Sequence, residues 1–453
     1  MKFREITYTN KYTHYFLAFI CLEIFLLIFF PTNRTEVDDG FWYAQGIRDE
    51  DYLDLFNPRF FLFLPLVKLL YDGVQLLSFN IDAYYFMCGL TMVFSGLTIV
   101  LLYDTLVAQL DLGKRTSLFI CLFLLISYEY WRYSYVAEVY VISLFFIIWA
   151  FGLFVKLKKD KSIKNIILLS LLCSFTVLLY KPNFIPLFIA FPLIYLYLKK
   201  IKQLIIFYIT GAFSIIFSFA IVYSLAIEDI SFLEYLFGGT NVPVGDAYMS
   251  VFVIASNIIS VLWLFSFQSA VGFIKNHFPH KVIEEELFLA LQIDGAGSIF
   301  IICLVVMSAI LILLIINAIK RKIYLTAYQK KTMVSVIAWF LIYAAFLMIM
   351  DPSSNEPWLM IQAPLIIIIS VIIIKPLGKR KLWLAYLALF MLFINNSFGG
   401  LWLLKNPKYD YNLAKVEWLR QHSTERDIIL SYGPVSLIRH LRYVTNTQVI
   451  NIE

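Results

Sequence analysis

The sequence predicts an all-α polytopic membrane protein closed by a small α/β tail, and three observations predict it. Of 453 residues, 61% are hydrophobic and only 15% charged, with a mean hydropathy of +0.79. A soluble fold of this length needs far more surface charge, so the apolar excess must face lipid. Apolar runs of about 17–25 residues recur down the chain, each able to cross a hydrocarbon core of about 30 Å. The loops between them alternate in charge, basic and then acidic or mixed.

The runs place about eleven spans, near residues 12–30, 82–107, 116–129, 136–156, 164–180, 183–198, 203–225, 298–319, 332–350, 358–374 and 382–404. The first is preceded by Lys2, Arg4 and Lys11 and followed by no small-residue cleavage site, so it reads as a retained span. The basic loops carry Lys114 and Arg115, Lys156 to Lys164, Lys199 to Lys202, Lys320 to Lys331, and Lys375 to Lys381. The positive-inside rule makes these cytoplasmic together with the N-terminus. The outer loops are then 31–81 and 226–297, and the polar tail 405–453 is extracytoplasmic beyond a transmembrane domain of 1–404. Two apolar stretches, 60–78 (interrupted by Lys68 and Asp72) and 250–274, break the alternation as full crossings. They read as re-entrant or interfacial helices. In the tail, 410–422 reads as a helix, 427–431 as a strand, Gly433-Pro434 as a turn into a helix ending near Arg442, and 447–452 as a strand.

Several function classes fall away. The five cysteines lie singly inside apolar runs with no CxxC, which supports neither disulfides nor a thiolate metal site. The histidines show no HExxH or HxH spacing, and there is no Walker A or GxGxxG sequence, so zinc, nucleotide, dinucleotide and haem cofactors are not indicated. A divalent cation held by carboxylates is the one cofactor left open. The net charge of +6 sits in short loops between spans, where membrane orientation explains it without a nucleic-acid partner.

Chemistry concentrates in the first outer loop, VDDGFWYAQGIRDEDYLDLFNPRFFLFLPL. Asp38 and Asp39 follow a span by some seven residues and are trailed by Phe41, Trp42 and Tyr43, aromatics of the kind that anchor at headgroup level. A carboxylate there can accept a proton from an acceptor hydroxyl or bind a divalent cation. An ordinary solvated acidic loop is the competing account. Farther along, Tyr135-Val136-Ala137-Glu138-Val139-Tyr140 places Glu138 at the start of an apolar helix. A carboxylate there calls for a partner such as Arg132 or a ligand, or is stabilised by the helix N-terminus. Arg59, Arg132 and Lys181 are cations on the outer side, each either a headgroup-level anchor or a phosphate binder. Asp351 and Glu356, in MDPSSNEPW, are further outer carboxylates, read as solvated or as acceptor-binding.

These motifs resemble those of the C-type fold (GT-C) glycosyltransferases, membrane enzymes that use polyprenyl-phosphate sugars and include protein O-mannosyltransferases and aminoarabinose transferases. A bacterial branch carries Asp-x-Gly-Glu, then a histidine-proline stretch, and Ala-Glu-Val-Tyr at the outer end of a span. Here Asp38-Asp39-Gly40 matches Asp-x-Gly, with Phe41 in place of the Glu. Asn57-Pro58-Arg59-Phe60-Phe61 stands where the histidine stretch would be, with Arg59 in the histidine's place, and Ala137-Glu138-Val139-Tyr140 matches the second motif. The resemblance implies an inverting sugar transfer to an acceptor hydroxyl of a glycan, lipid or protein, with a loop aspartate as base. Asp38 fits the Asp-x-Gly register and is favoured; Asp39 fits an alternative Asp-x-x-x-Tyr-Ala register through Tyr43 and Ala44. It further implies donor-phosphate binding by Arg59, Arg132 and Lys181, and acceptor or substrate contacts from Glu138, Trp42, Tyr43, Asp351 and Glu356. A polysaccharide polymerase or ligase, and a lipid or solute transporter or flippase, are the alternatives. A transporter should show internal repeats and midplane charges, whereas the ionisable residues here gather at span ends.

Overall fold

A computed structural model describes residues 2–34, 39–157, 162–226, 230–238, 297–321, 323–350, 356–377, 381–410, 412–432, 435–445 and 447–452. The helices are α1 (Lys2–Ile28), α2 (Asp39–Asp49), α3 (Phe63–Leu76), α4 (Ala83–Asp104), α5 (Lys114–Ile126), α6 (Tyr128–Tyr133) and α7 (Tyr140–Leu157). They continue with α8 (Ile163–Leu179), α9 (Leu193–Tyr197), α10 (Ile201–Ala226), α11 (Phe232–Phe237), α12 (Gly297–Ile319), α13 (Ala327–Met350), α14 (Leu359–Ile369) and α15 (Leu382–Asn396). The tail adds α16 (Leu413–His422), β1 (Ile428–Ser431), α17 (Val435–Val444) and β2 (Gln448–Asn451), with β1 and β2 paired in parallel, Ile428 opposite Gln448.

Among the described residues, six stretches are long and apolar enough to cross a membrane: Ala83–Gln109, Tyr140–Leu157, Ile201–Leu225, Ile301–Ile319, Ala327–Ile349 and Glu356–Ile374. Shorter apolar helices cover Thr13–Ile28, Ile163–Leu179, Lys181–Leu196 and Leu382–Asn396. Without water to satisfy backbone groups, helices are the form such segments must take.

The chain departs from simple rods where prolines and short polar residues intervene. The expected span 183–198 is broken into a 3₁₀ turn at Lys181–Asn183, a π-helical stretch at Ile185–Ala190 and α9. Pro182, Pro186 and Pro192 remove three backbone donors there, so an uninterrupted α ladder is impossible. The expected span 116–129 ends at Ile126, where Ser127 turns the chain into α6 with its hydroxyl donating to Leu124 O at 2.7 Å. α7 begins at Tyr140, so Glu138 precedes the helix by two residues and does not open it.

In the membrane the helices associate by close packing and interhelical hydrogen bonds. α8 lies against α10 with Ser170 donating to Phe207 O (2.6 Å) and Ser174 donating to Gly211 O (3.3 Å). A side chain at Gly211 would bring its Cβ to 2.4 Å from the Phe188 ring, so glycine sets that approach. Fully buried Trp131, Trp339 and Trp358 fill the core, Trp131 stacking on Phe393 at 5.6 Å.

The bundle has two chemically distinct ends. At one, Gln329 donates to Asp111 O (2.8 Å), Lys375 to Gln329 (2.6 Å) and Tyr386 to Arg115 O (3.2 Å). At the other, Asn33 N bonds Leu404 O (2.7 Å), Leu62 N bonds Leu178 O (2.8 Å) and Lys181 N bonds Arg59 O (3.1 Å). This second end also receives α2, α3 and the tail. The stretch 60–78 appears there as α3, packed against α2 and α4, while 250–274 lies outside the described residues.

Candidate active site at one end of the helix bundle

α2 opens on Asp39, whose negative charge suits a helix N-terminus. The helix buries Phe41, Tyr43, Ala44 and Ile47 and leaves Trp42 40% exposed. That division follows from spacing: 43, 44 and 47 share one helical face, and 42 points away from it. Tyr43 packs edge-on to Phe60 (5.4 Å) and Phe63 (6.0 Å), and its hydroxyl donates to Asp39 Oδ2 at 3.3 Å.

Tyr43 is also where the predicted residues meet. Burial pushes its phenol pKa well up, and the negative charges of Glu138, Asp39 and Glu356 push it farther, with Arg59 opposing. Five residues singled out in sequence thus share one electrostatic neighbourhood. Arg59 itself is half-buried, which would lower its pKa, but the surrounding Tyr180, Tyr140 and Tyr43 more than offset this, and the guanidinium stays charged. It bonds the Tyr180 side chain and lies over the Phe60 ring at 5.4 Å. Phe60 stacks on Tyr180 (5.7 Å), and Tyr180 meets Tyr140 edge-on (5.4 Å). Tyr140 then donates to Glu356 Oε2 at 2.7 Å. Aromatic rings alternating with charged groups therefore run from the loop and helix after α1 to the turn before α14.

Glu138 and Arg132 are both buried, at 2% and 3% exposure. Arg132 lies over Tyr133, which packs against Tyr140, so it borders the cluster from the α6 side. Lys181 sits at the cluster's edge, its ammonium donating to Leu236 O (2.8 Å) and Gly238 O (3.0 Å). Asp38 and Asp351 lie outside the described residues. Among the described residues no group of three His, Cys, Asp or Glu is arranged to hold a metal.

A cavity of about 440 Å³ adjoins the cluster, lined by Arg59, Tyr180 and Lys181 at its polar end and by Phe184, Ile215, Phe219 and other apolar side chains elsewhere. Two cations at the end of an apolar groove suit a lipid with an anionic head, since the chain is received by hydrocarbon and the charge by the mouth.

The tail supplies residues that the sequence reading missed. Arg439 forms an ion pair with Asp39 Oδ1, and its guanidinium lies 5.8 Å from the Trp42 ring. His440 is buried and stacks on Phe41 at 4.1 Å and 9°. Tyr443 donates to Asp82 Oδ2 at 2.7 Å, the same carboxylate that caps α4 by accepting from Tyr84 N. A partly exposed ion pair of this kind adds about 1 kcal/mol or less; its effect is to orient the carboxylate.

No protein-family model matches the sequence, and no curated protein sequence matches it. Solved structures do. ArnT from Cupriavidus metallidurans in the apo state superposes with a TM-score of 0.53 at 10% identity, covering 97% of this chain and 86% of that one. ArnT from the same organism bound to undecaprenyl phosphate gives a TM-score of 0.49 at 11% identity, covering 96% and 86%. At such identity the first match establishes a shared fold. The protein is an integral, multi-pass membrane protein with an ArnT-like fold.

Proposed function

We propose that this protein is a membrane glycosyltransferase that moves a sugar from a polyprenyl-phosphate donor to an acceptor hydroxyl at the extracytoplasmic face, with inversion. The observation that carries the reading is the apolar groove with Arg59 and Lys181 at its mouth, opening beside the cluster of Asp39, Tyr43, Glu138 and Glu356. The ArnT-like fold and the resemblance of the loop motifs to the C-type glycosyltransferases support it.

The donor's isoprenoid chain lies in the groove and its phosphate meets Arg59 and Lys181. A first-loop aspartate, Asp38 or Asp39, takes the proton of the acceptor hydroxyl. The acceptor oxygen attacks the anomeric carbon from the face opposite the phosphate, and the bond from that carbon to the phosphate oxygen breaks. One displacement inverts the centre. The leaving polyprenyl phosphate gathers negative charge, which the two cations neutralise as it develops. Trp42, exposed beside Asp39, offers a ring face for a sugar, while Glu138 and Glu356 accept from sugar or acceptor hydroxyls. The basic loops face the cytoplasm, as does the N-terminus, and the eleven apolar segments all span.

The test is transfer from a labelled polyprenyl-phosphate sugar in purified protein or membranes. Asp38→Ala and Asp39→Ala are compared with the unmodified protein, and removal of the base lowers turnover by about 100-fold or more. Arg59→Ala raises the donor KM by about tenfold or more, as loss of a phosphate contact requires. Transfer that survives both aspartate substitutions defeats the base assignment, and no transfer with any such donor defeats the enzyme itself.

A further inference from the structure

We infer that Arg439, on the last helix of the chain, is the positioning residue for the Asp39 carboxylate, and that α17 holds the first outer helix in its reactive orientation. This rests on the proposed role of the first-loop aspartates.

Both carboxylate oxygens of Asp39 are engaged: Oδ1 by Arg439 and Oδ2 by the Tyr43 hydroxyl at 3.3 Å. Two donors on two oxygens fix the plane of the carboxylate as well as its place. Arg439 is itself restrained, 27% exposed at the side chain and set against the Trp42 ring. An ordinary surface pair shares neither property.

The same helix grips α2 at both ends. His440 stacks on Phe41 in its first turn. In its last turn, Arg48 donates to Tyr443 O at 3.0 Å and lies 4.6 Å from the Tyr443 ring. Tyr443 is tied in turn to the α4 cap through Asp82. Arg439, His440 and Tyr443 occupy positions i, i+1 and i+4, which a helix presents on one side. That side is turned to α2. Three contacts of different kinds, an ion pair, a ring stack and a hydrogen-bonded tyrosine, define the angle of α2 relative to the bundle. Displacement of a catalytic group by about 1 Å costs on the order of 100-fold in rate, so the orientation has kinetic weight.

Transfer kinetics separate positioning from simple docking. Arg439→Ala is expected to lower kcat by about tenfold or more with the donor KM within about twofold, and Arg439→Lys to recover most of the loss. Ser170→Ala, which removes the α8–α10 bond to Phe207 O and leaves the α2–α17 contacts in place, lowers the melting temperature and keeps kcat within about threefold. An Arg439→Ala protein with unchanged kcat overturns the inference, as does a loss that Lys fails to relieve and that follows the melting temperature. If Asp38→Ala and Asp39→Ala both leave transfer intact, the proposed function fails instead. A second readout is independent of turnover: carbodiimide modification of Asp39, quantified by mass spectrometry of the purified protein. Arg439→Ala exposes the carboxylate and speeds its modification, whereas the wild-type protein reacts slowly; equal rates in the two overturn the inference.

Discussion

His440 shows how one residue can make the tail's docking depend on acidity. It is buried against Phe41, its Nδ1 has no hydrogen-bond partner among the described residues, and burial followed by the nearby Arg34 charge pushes its pKa from the ordinary 6.5 down to about 3. With the docked pKa below the free one, the undocked form binds the extra proton, and docking weakens as pH falls from about 6.5 toward 3. Hydrogen exchange of amides 435–445, corrected for intrinsic rates, should be faster at pH 5 than at pH 7. His440→Phe, which keeps a ring on Phe41, should abolish the difference. Equal protection at both pH values would count against this account. At this scale the sequence was half legible. Asp39, Tyr43, Arg59, Glu138 and Glu356 stand out because motif and loop position mark them locally. Arg439 carries no local mark, since its partner is chosen by how a helix docks. Its one trace in sequence is the mixed face of VSLIRHLRYV, with a histidine and arginines among apolar residues.

At the scale of elements, apolar runs locate the helices well, but their interruptions depend on neighbours. The run 183–198 looks continuous by hydropathy, yet Pro186 and Pro192 divide it, and the turn at Pro182 just before it holds Lys181 beside Arg59. Proline positions could have announced the break; the π-helical turn could not be foreseen, because it reflects packing against α13 and α7. The α8–α10 pair illustrates the opposite case, where a single small residue governs the contact. Gly211→Leu drives a branched side chain into the Phe188 ring and is expected to cost about 1–3 kcal/mol. A lowered thermal midpoint in detergent measures it. Gly89, whose Cβ would meet nothing within 4 Å, is the control, and equal effects at both positions would refute the packing argument.

For the whole molecule, charge alternation along the sequence sorts the loops into two sets, and contacts among the described residues join Asp111 to Gln329 and Gln329 to Lys375 in one set and Arg59 to Lys181 in the other. Which end faces the cytoplasm is tested by replacing the five native cysteines and introducing one at Tyr432, 82% exposed at the tail end, or at Lys114 at the basic end. In intact cells an impermeant maleimide should label the first and spare the second; the reverse pattern would turn the proposed site inward. The small tail was readable as helix, strand, helix and strand, but its attachment to α2 was not, because no local pattern encodes a distant docking partner. That attachment has a consequence for biosynthesis. Asp39 and Arg439 are 400 positions apart, so the ion pair must wait until translation has passed nearly every apolar segment. At about 5–20 residues per second α2 would stand for roughly 20–80 seconds without its clasp. A ribosome that stalls late would leave an inserted bundle whose candidate site lacks its clasp, so a partly made copy would be without the arrangement on which the proposed transfer depends.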